Sequence, residues 1–297
     1  MPENIIEEKR NIEIRRRRAE LFRNYPGIWD RMIEEWKDEK DGSDCVWLTY
    51  AANYLLRTSG IRWAVDPLTV HGRFRGRDSK QKDGGISPEE MQRLQPLSFV
   101  LLTHNHADHV DIPLISALKD FPITWVMPEE MREIIREKAG LKDESILTPR
   151  RGKAFKLGDI KITAWEGLHR REDPFKAHIP SNVYLVETGR RKLLFPGDVR
   201  TYDSGFIPFS GPVDWIFSHL WLGVDSMEAD LPILPEFCDF ALEFNPKNIL
   251  ISHVYEVGRP AGSYWSEEHV EMARECWRTR APEVKVFTAE IGEKVKL

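Results

Sequence analysis

Several features are scarce in this chain of 297 residues, and each scarcity excludes something. No apolar run reaches the ~18 residues that a membrane-spanning helix needs, so no span is expected. The stretch Met1–Arg18 is charged throughout and lacks the apolar segment of a secretory signal. Cysteine is limited to Cys45, Cys238 and Cys276, an odd number with no C-x-x-C spacing. Such thiols fit a reduced, cytoplasmic protein rather than a disulfide framework or a cysteine zinc site. Nor is there an excess of positive charge: 43 Lys+Arg against 48 Asp+Glu leave a net charge of −5, which argues against a nucleic-acid partner. Gly/Ser linkers and short repeats are absent too. What is present is 41% hydrophobic residues and ten tryptophans, enough to bury a sizeable core.

Residues 1–43 read as a helical extension packed on something larger, separate from a main domain over 44–297. Ile5, Ile12, Leu21, Ile28, Met32, Ile33 and Trp36 recur at helical intervals. Tyr25-Pro26-Gly27 interrupts them, so two helices with a turn between are expected. The run Arg15–Arg18 is surrounded by Glu7, Glu8, Glu13 and Glu20, which predicts a salt-bridged, solvated face. This extension is the first place to look for a homo-oligomer interface.

From Asp44 the texture changes to short, apolar, turn-bounded strands: Cys45–Tyr50, Asn53–Thr58, Ile61–Asp66 and Ser98–Thr103. Further candidates follow at Ile123–Met127, Ile160–Trp165, Asn182–Glu187, Lys192–Pro196, Val213–Phe217, Asn248–Ser252, Val284–Thr288 and Lys294–Leu297. Helices are expected at Ile112–Lys119, Glu129–Ala139, Leu234–Phe244 and Glu267–Arg280. Strands and helices interspersed in both halves predict an α/β fold of two facing sheets with helices outside.

The most informative stretch is Thr103-His104-Asn105-His106-Ala107-Asp108-His109. Four potential metal ligands fall within six residues, between an apolar strand and a helix. Imidazole and carboxylate together suit zinc, manganese or iron. At an extended strand end His104 and His106 point the same way, and the turn that follows can present Asp108 and His109 to a second ion.

His104-x-His106-x-Asp108-His109 at a strand end resembles the signature of the metallo-β-lactamase superfamily, whose fold is a four-layer αββα sandwich. The resemblance extends to Trp63-Ala-Val-Asp66-Pro67, to Leu194-Phe-Pro-Gly197-Asp198 and to Leu250-Ile-Ser-His253. It implies two divalent ions, zinc or manganese, held by His104, His106 and a third histidine on one side and by Asp108, His109 and His253 on the other. Asp198 would bridge them and Asp66 would brace the histidine loop. The third histidine is His169, after the strand Ile160–Trp165, with His178 as competitor and Glu166 as an outside alternative. Tyr25-Pro-Gly-Ile-Trp-Asp-Arg-Met-Ile-Glu-Glu-Trp, Leu157-Gly-Asp-Ile160 and Asn182-Val-Tyr-Leu-Val further resemble the L-ascorbate-6-phosphate lactonase-like group, although the loop at 68–87 departs from it.

The resemblance implies a hydrolase in which metal-activated hydroxide attacks, with Asp108 and Asp198 as the catalytic carboxylates. An anionic small-molecule substrate is expected from Arg73, Arg75, Arg77, Lys80 and Lys82 in the long loop and from Arg170 and Arg171 beside His169, and the lactonase-like resemblance makes a sugar-phosphate lactone the lead. His178, His219 and Tyr202 are further candidate substrate contacts, His219 as a donor to a transition-state oxygen. Tyr202, Trp221, Tyr255 and Arg259 read first as packing residues. The alternative is a phosphodiesterase or nuclease on the same centre.

Overall fold

A computed structural model of the chain describes residues 3–38, 42–70, 85–169, 179–223 and 233–297. A long helix α1 (Glu3–Lys37) leads into β1 (Cys45–Leu48), β2 (Tyr54–Thr58), β3 (Ile61–Val65), β4 (Phe99–Leu101), β5 (Thr124–Val126), β6 (Ile146–Leu147) and β7 (Ala154–Leu157). The second half holds β8 (Ile160–Glu166), β9 (Asn182–Glu187), β10 (Lys192–Phe195), β11 (Val213–His219), β12 (Pro246–Ser252), β13 (Lys285–Thr288) and β14 (Lys294–Lys296). One seven-stranded sheet has the order β14-β1-β2-β3-β4-β5-β6, the other β13-β12-β11-β10-β9-β8-β7. Each sheet is antiparallel on one side and parallel on the other; the parallel portions are β3 to β6 and β10 to β13.

The two-residue period of a strand sends alternate side chains to opposite faces, and here both faces are covered. Val46, Leu48, Tyr54, Leu56, Trp63, Val65, Phe99 and Leu101 of the first sheet meet Tyr184, Val186, Leu193, Phe195 and Phe217 of the second in one core between the sheets. Cys45, Trp47, Leu55, Ala64 and Val100 point outward to a second core with α1 and the helices Ile112–Leu118 and Glu129–Ala139. Val183, Leu185, Leu194 and Ile216 point outward beneath the helices Leu234–Leu242 and Glu267–Arg280. This is the expected αββα layering. Among the described residues no helix is long and apolar enough to cross a membrane.

One expectation is corrected: residues 3–37 form a single helix that passes through Pro26 without a turn. Proline removes one backbone donor and disfavours a helix interior, but burial outweighs it here. Tyr25, Trp29, Met32, Ile33 and Trp36 are fully buried against the first sheet, and the Tyr25 hydroxyl donates to the Thr49 carbonyl at 3.0 Å. The helix end is closed by two strand arginines. Arg57 donates to the carbonyls of Trp36 and Asp38, and Arg62 to those of Trp36 and Lys37 at 3.2 and 2.8 Å. These bonds satisfy carbonyls that a helix C-terminus leaves without partners. Arg16 and Arg17 pair with Glu13, and Arg16 also with Glu20, the salt-bridged face expected.

Candidate metal centre

The candidate ligands lie where strands end along one edge of the sandwich. Asp66 follows β3, His104 and His106 follow β4, and His169 follows β8. Asp198 follows β10, His219 is the last residue of β11, and His253 follows β12. The carboxyl edge of such strands is the usual place for a site.

The two sheets are spliced together at this edge. His104 bridges Ser181, and the Asn182 amide donates to the Thr103 carbonyl at 2.9 Å. The Gly167 amide donates to the Ser181 carbonyl at 2.8 Å. A Cβ on Gly167 would stand 2.2 Å from the Ser181 hydroxyl and 3.0 Å from its backbone carbon, so only glycine lets the His169 segment approach this closely. Gly197, before Asp198, has φ +69° and a built Cβ 3.3 Å from that of Thr103.

The ring nitrogens converge. His104 Nε2 and His169 Nε2 lie 3.1 and 3.2 Å from His106 Nδ1, and Asp198 Oδ2 is 3.8 Å from His169 Nε2. One ring nitrogen offers a single lone pair or a single proton, so His106 Nδ1 cannot bond well to both neighbours. A spacing of ~3.3 Å is what tetrahedral ligation at ~2.0–2.1 Å imposes on adjacent nitrogens. On the other side Asp108, His109 and His253 form a second buried group, and His109, Asp198 and His219 a third. His253 Nε2 lies 3.7 Å from Asp108 Oδ2 and 3.8 Å from Asp198 Oδ1.

Asp66 braces the histidine loop. Its Oδ1 accepts from the Thr103 amide at 2.7 Å and its Oδ2 from the Thr103 hydroxyl at 2.5 Å, and His109 Nδ1 lies 2.8 Å from the same Oδ2. With Nδ1 committed to Asp66, His109 Nε2 faces Asp198 Oδ1 at 3.2 Å. A lone pair facing a carboxylate at that distance requires a cation between them. Burial opposes the charged ring, but Asp198 and Asp66 outweigh it and raise the His109 pKa well above the usual value.

The remaining imidazoles behave in the opposite way. Burial, aided by neighbouring histidines, pushes His104 well below its usual value and lowers His106; burial brings His169 to about 3 and lowers His219. They are neutral near pH 7 and free to offer lone pairs. Burial would raise Asp198 and Asp108, yet both are held well below the usual carboxylate range. His253, Arg200 and His109 act on Asp198; His253, His109 and Arg259 act on Asp108. Neutral imidazoles around ionised carboxylates are the donor set of a divalent ion, and these residues fit one.

A family model described as "Beta-lactamase superfamily domain" matches residues 66–229. The chain belongs to the beta-lactamase superfamily. No curated protein matches the sequence significantly. Among solved structures, it is similar to a metallo hydrolase from Ignicoccus hospitalis at TM-score 0.61 and 14% identity, over 86% of this chain and 98% of that one. It is similar to an isothiocyanate hydrolase from Delia radicum gut bacteria at TM-score 0.61 and 16% identity, over 85% and 98%. The diiron β-hydroxylase CmlA from Streptomyces venezuelae aligns at TM-score 0.59 and 15% identity, over 86% of this chain and 54% of that one. At these identities the likeness is one of fold.

Among the sequence candidates, His104, His106, Asp108, His109, His169, Asp198 and His253 are brought together with Asp66 behind them. His219 joins them, its Nδ1 2.9 Å from Asp198 Oδ1 and its ring stacked on His253. Tyr202 instead packs on Phe237 and Phe240 and donates to the Trp221 carbonyl at 2.6 Å. His178, Arg170, Arg171 and the basic loop residues Arg73, Arg75, Arg77, Lys80 and Lys82 lie outside the described residues.

The sequence reading passed over Arg200, which donates to Asp198 Oδ2 at 2.8 Å, and gave Arg259 a packing role. That reading is corrected: Arg259 donates to Asp108 Oδ2 at 2.8 Å and to Glu256 at 2.5 Å. It also passed over Asn53, which donates to the carbonyls of Asp66 and Asp108 at 2.7 and 2.8 Å. Arg200 stands two residues after Asp198, a proximity that could have flagged it. Asn53 carried no such signal.

Proposed function

We propose that this chain is a metal-dependent hydrolase acting on an anionic small molecule, with a sugar-phosphate lactone as the lead substrate. The observation that carries the reading is the convergence of His104, His106 and His169 nitrogens beside Asp198, backed by a second buried group of Asp108, His109 and His253. In this reading the first three histidines would hold one divalent ion, zinc or manganese, the second group would hold another, and Asp198 would serve both. Such ions, when bound, lower the pKa of water and polarise a carbonyl or phosphoryl oxygen.

The chain's own residues supply the rest. Asp66 sets the His109 tautomer, and His219 steadies Asp198 from the side away from Arg200. Asp108 and Asp198, both ionised, are acceptor-only groups suited to orienting a water and drawing on its proton. Arg200 and Arg259 place positive charge at the carboxylates, and Arg170, Arg171 and His178 are proposed as further substrate contacts. The unit so formed spans residues 44–297, with 1–43 as its helical extension, and works in the cytoplasm.

The test is proton release from a sugar-phosphate lactone and from a simple phosphodiester in parallel. The protein is stripped and reloaded with zinc or manganese, and iron is assayed in the protein as purified. Metal-dependent lactone turnover that falls at least ~100-fold in His106→Ala supports the reading. Turnover of the diester alone moves it to a phosphodiesterase. Full activity of His106→Ala overturns it.

A further inference from the structure

Two guanidinium groups approach the cluster, and they do so differently. Arg200 touches a single ligand atom, Asp198 Oδ2, while its plane lies over the Trp221 ring at 4.8 Å. The nitrogens of His104, His106 and His169 meet one another, and among the described residues no arginine stands between them. Arg259 engages two members of the other group at once. Its Nη2 lies 2.8 Å from Asp108 Oδ2 and 3.3 Å from His253 Nε2.

A guanidinium has donors and no acceptor. Nη2 can only donate, so this contact is a hydrogen bond when His253 Nε2 carries its lone pair, the same lone pair a metal ion would need. The Asp108 oxygen that would complete the pair is taken by the same Nη2. The arginine is held from behind by Glu256, which is buried and accepts from Nε at 2.5 Å. Glu256 itself lies 3.6 Å from His253 Nε2. The arrangement is carboxylate, guanidinium, carboxylate, with an imidazole at the centre. At the place where Asp108 and His253 converge, the chain already holds a cation of its own.

We infer that Arg259 is a resident cation in the second ligand group, so that the two metal positions fill in order: the His104, His106, His169 and Asp198 position first, the Asp108, His109 and His253 position only when Arg259 withdraws. The inference rests on the metal-centre reading above. A divalent ion and a guanidinium cannot share the same two lone pairs, and their like charges repel in a buried setting. Arg259 keeps part of its side chain exposed, 26% against 2% for His253, so it has solvent to swing into while Glu256 retains its Nε. Among the described residues the first group has no such competitor on its three nitrogens, and the loss of one Arg200 contact to Asp198 Oδ2 leaves the other carboxylate oxygen bonded to His219.

The experiment is metal stoichiometry, read by elemental analysis after equilibrium dialysis of the stripped full-length chain against buffered free zinc and, separately, manganese. Wild type is expected to load in two steps, the second needing at least ~10-fold more free ion than the first. Arg259→Met should move the second step down by ~10-fold or more and leave the first in place. Arg259→Lys, which keeps the charge, should keep most of the separation. His253→Ala should remove the second step alone, and circular dichroism checks that each variant folds. Should Arg259→Met not fold, Glu256→Gln, which frees the arginine from behind, should narrow the separation in its place.

Two equal ions in wild type, or a second step unmoved in Arg259→Met, would overturn the inference and leave the metal-centre reading standing. Loss of the tight step in His253→Ala would overturn the order of filling. No ion bound at any concentration would overturn both.

Discussion

Asp66 Oδ2 lies 2.8 Å from His109 Nδ1, and both side chains are wholly buried. That contact decides which nitrogen of His109 is turned toward Asp198. Replacing Asp66 by Ala strands a buried ring and two Thr103 donors, and should destabilise the fold by about 3–5 kcal/mol. Asp66→Asn keeps the shape but donates where it should accept, so its main effect falls on metal affinity, about 10–100-fold weaker. Chemical denaturation and metal titration of the two variants separate these outcomes. Unchanged affinity in Asp66→Asn would mean that Asp66 only holds the loop.

The metal-free protein should have a pH–stability profile set by its histidines. His104, His106, His169 and His219 have folded pKa values below the unfolded 6.5, and His169 lies at about 3. Below pH 6.5 the unfolded chain binds more protons than the folded one, so stability falls as pH drops from about 6.5 toward 3. His109 has the opposite sign: its contribution is complete below 6.5 and is lost as pH rises toward its raised folded value. Denaturation midpoints in chelator from pH 4 to 9 should therefore pass through a maximum; bound metal should raise the midpoints and remove the alkaline fall set by His109, while the acid limb stays at least as steep because metal displaces protons from the folded chain. A midpoint rising steadily toward pH 4 would contradict the assignment.

Gly167→Ala should damage the site from a distance. Its new Cβ meets Ser181, and separating the strands there costs about 1–3 kcal/mol. His169, two residues on, should shift with it and weaken metal binding. Ser181→Gly removes the hydroxyl and Cβ that collide, so the double variant should recover part of both losses. A strictly additive double-mutant cycle would rule out the proposed clash.

Helix α1 should behave as part of the core. Trp36 is wholly buried and its indole donates to the Leu56 carbonyl at 3.0 Å, so Trp36→Ala should cost about 3–5 kcal/mol. Arg16→Ala, on the exposed salt-bridged face, should stay within about 0.5 kcal/mol. Comparable midpoints for the two variants would show that α1 contributes little to stability.

Much of this was legible in the sequence because strand and helix periodicity is a local signal. Glu129–Ala139 and Glu267–Arg280 occur with the expected bounds, and most expected strands are present within a residue or two at their ends. β12 begins two residues early at Pro246, where Val213 of β11 pairs with it. β6 and β7 escaped because Ile146–Leu147 is too short for periodicity, and Ala154–Leu157 carries two exposed residues on an edge. Pro26 misled because a local penalty says nothing about how much aromatic surface lies beneath the helix. The clustered ligands at 104–109 announced themselves, whereas Arg259 and Glu256 gain their partners only through folding. Arg259 lies 151 residues from Asp108, and no local pattern carries that pairing.

Two of the residues at the site, Asp66 and His253, hold left-handed backbone at φ 45° and 67°. For side chains other than glycine that conformation carries a penalty of about 1–3 kcal/mol. Asp66 repays that penalty through Thr103 and His109, whereas at His253 evolution for heat tolerance and evolution for turnover pull in opposite directions. A library at position 253 sorted for thermal resistance alone should enrich glycine and discard the imidazole, yielding sturdier descendants with an impaired centre.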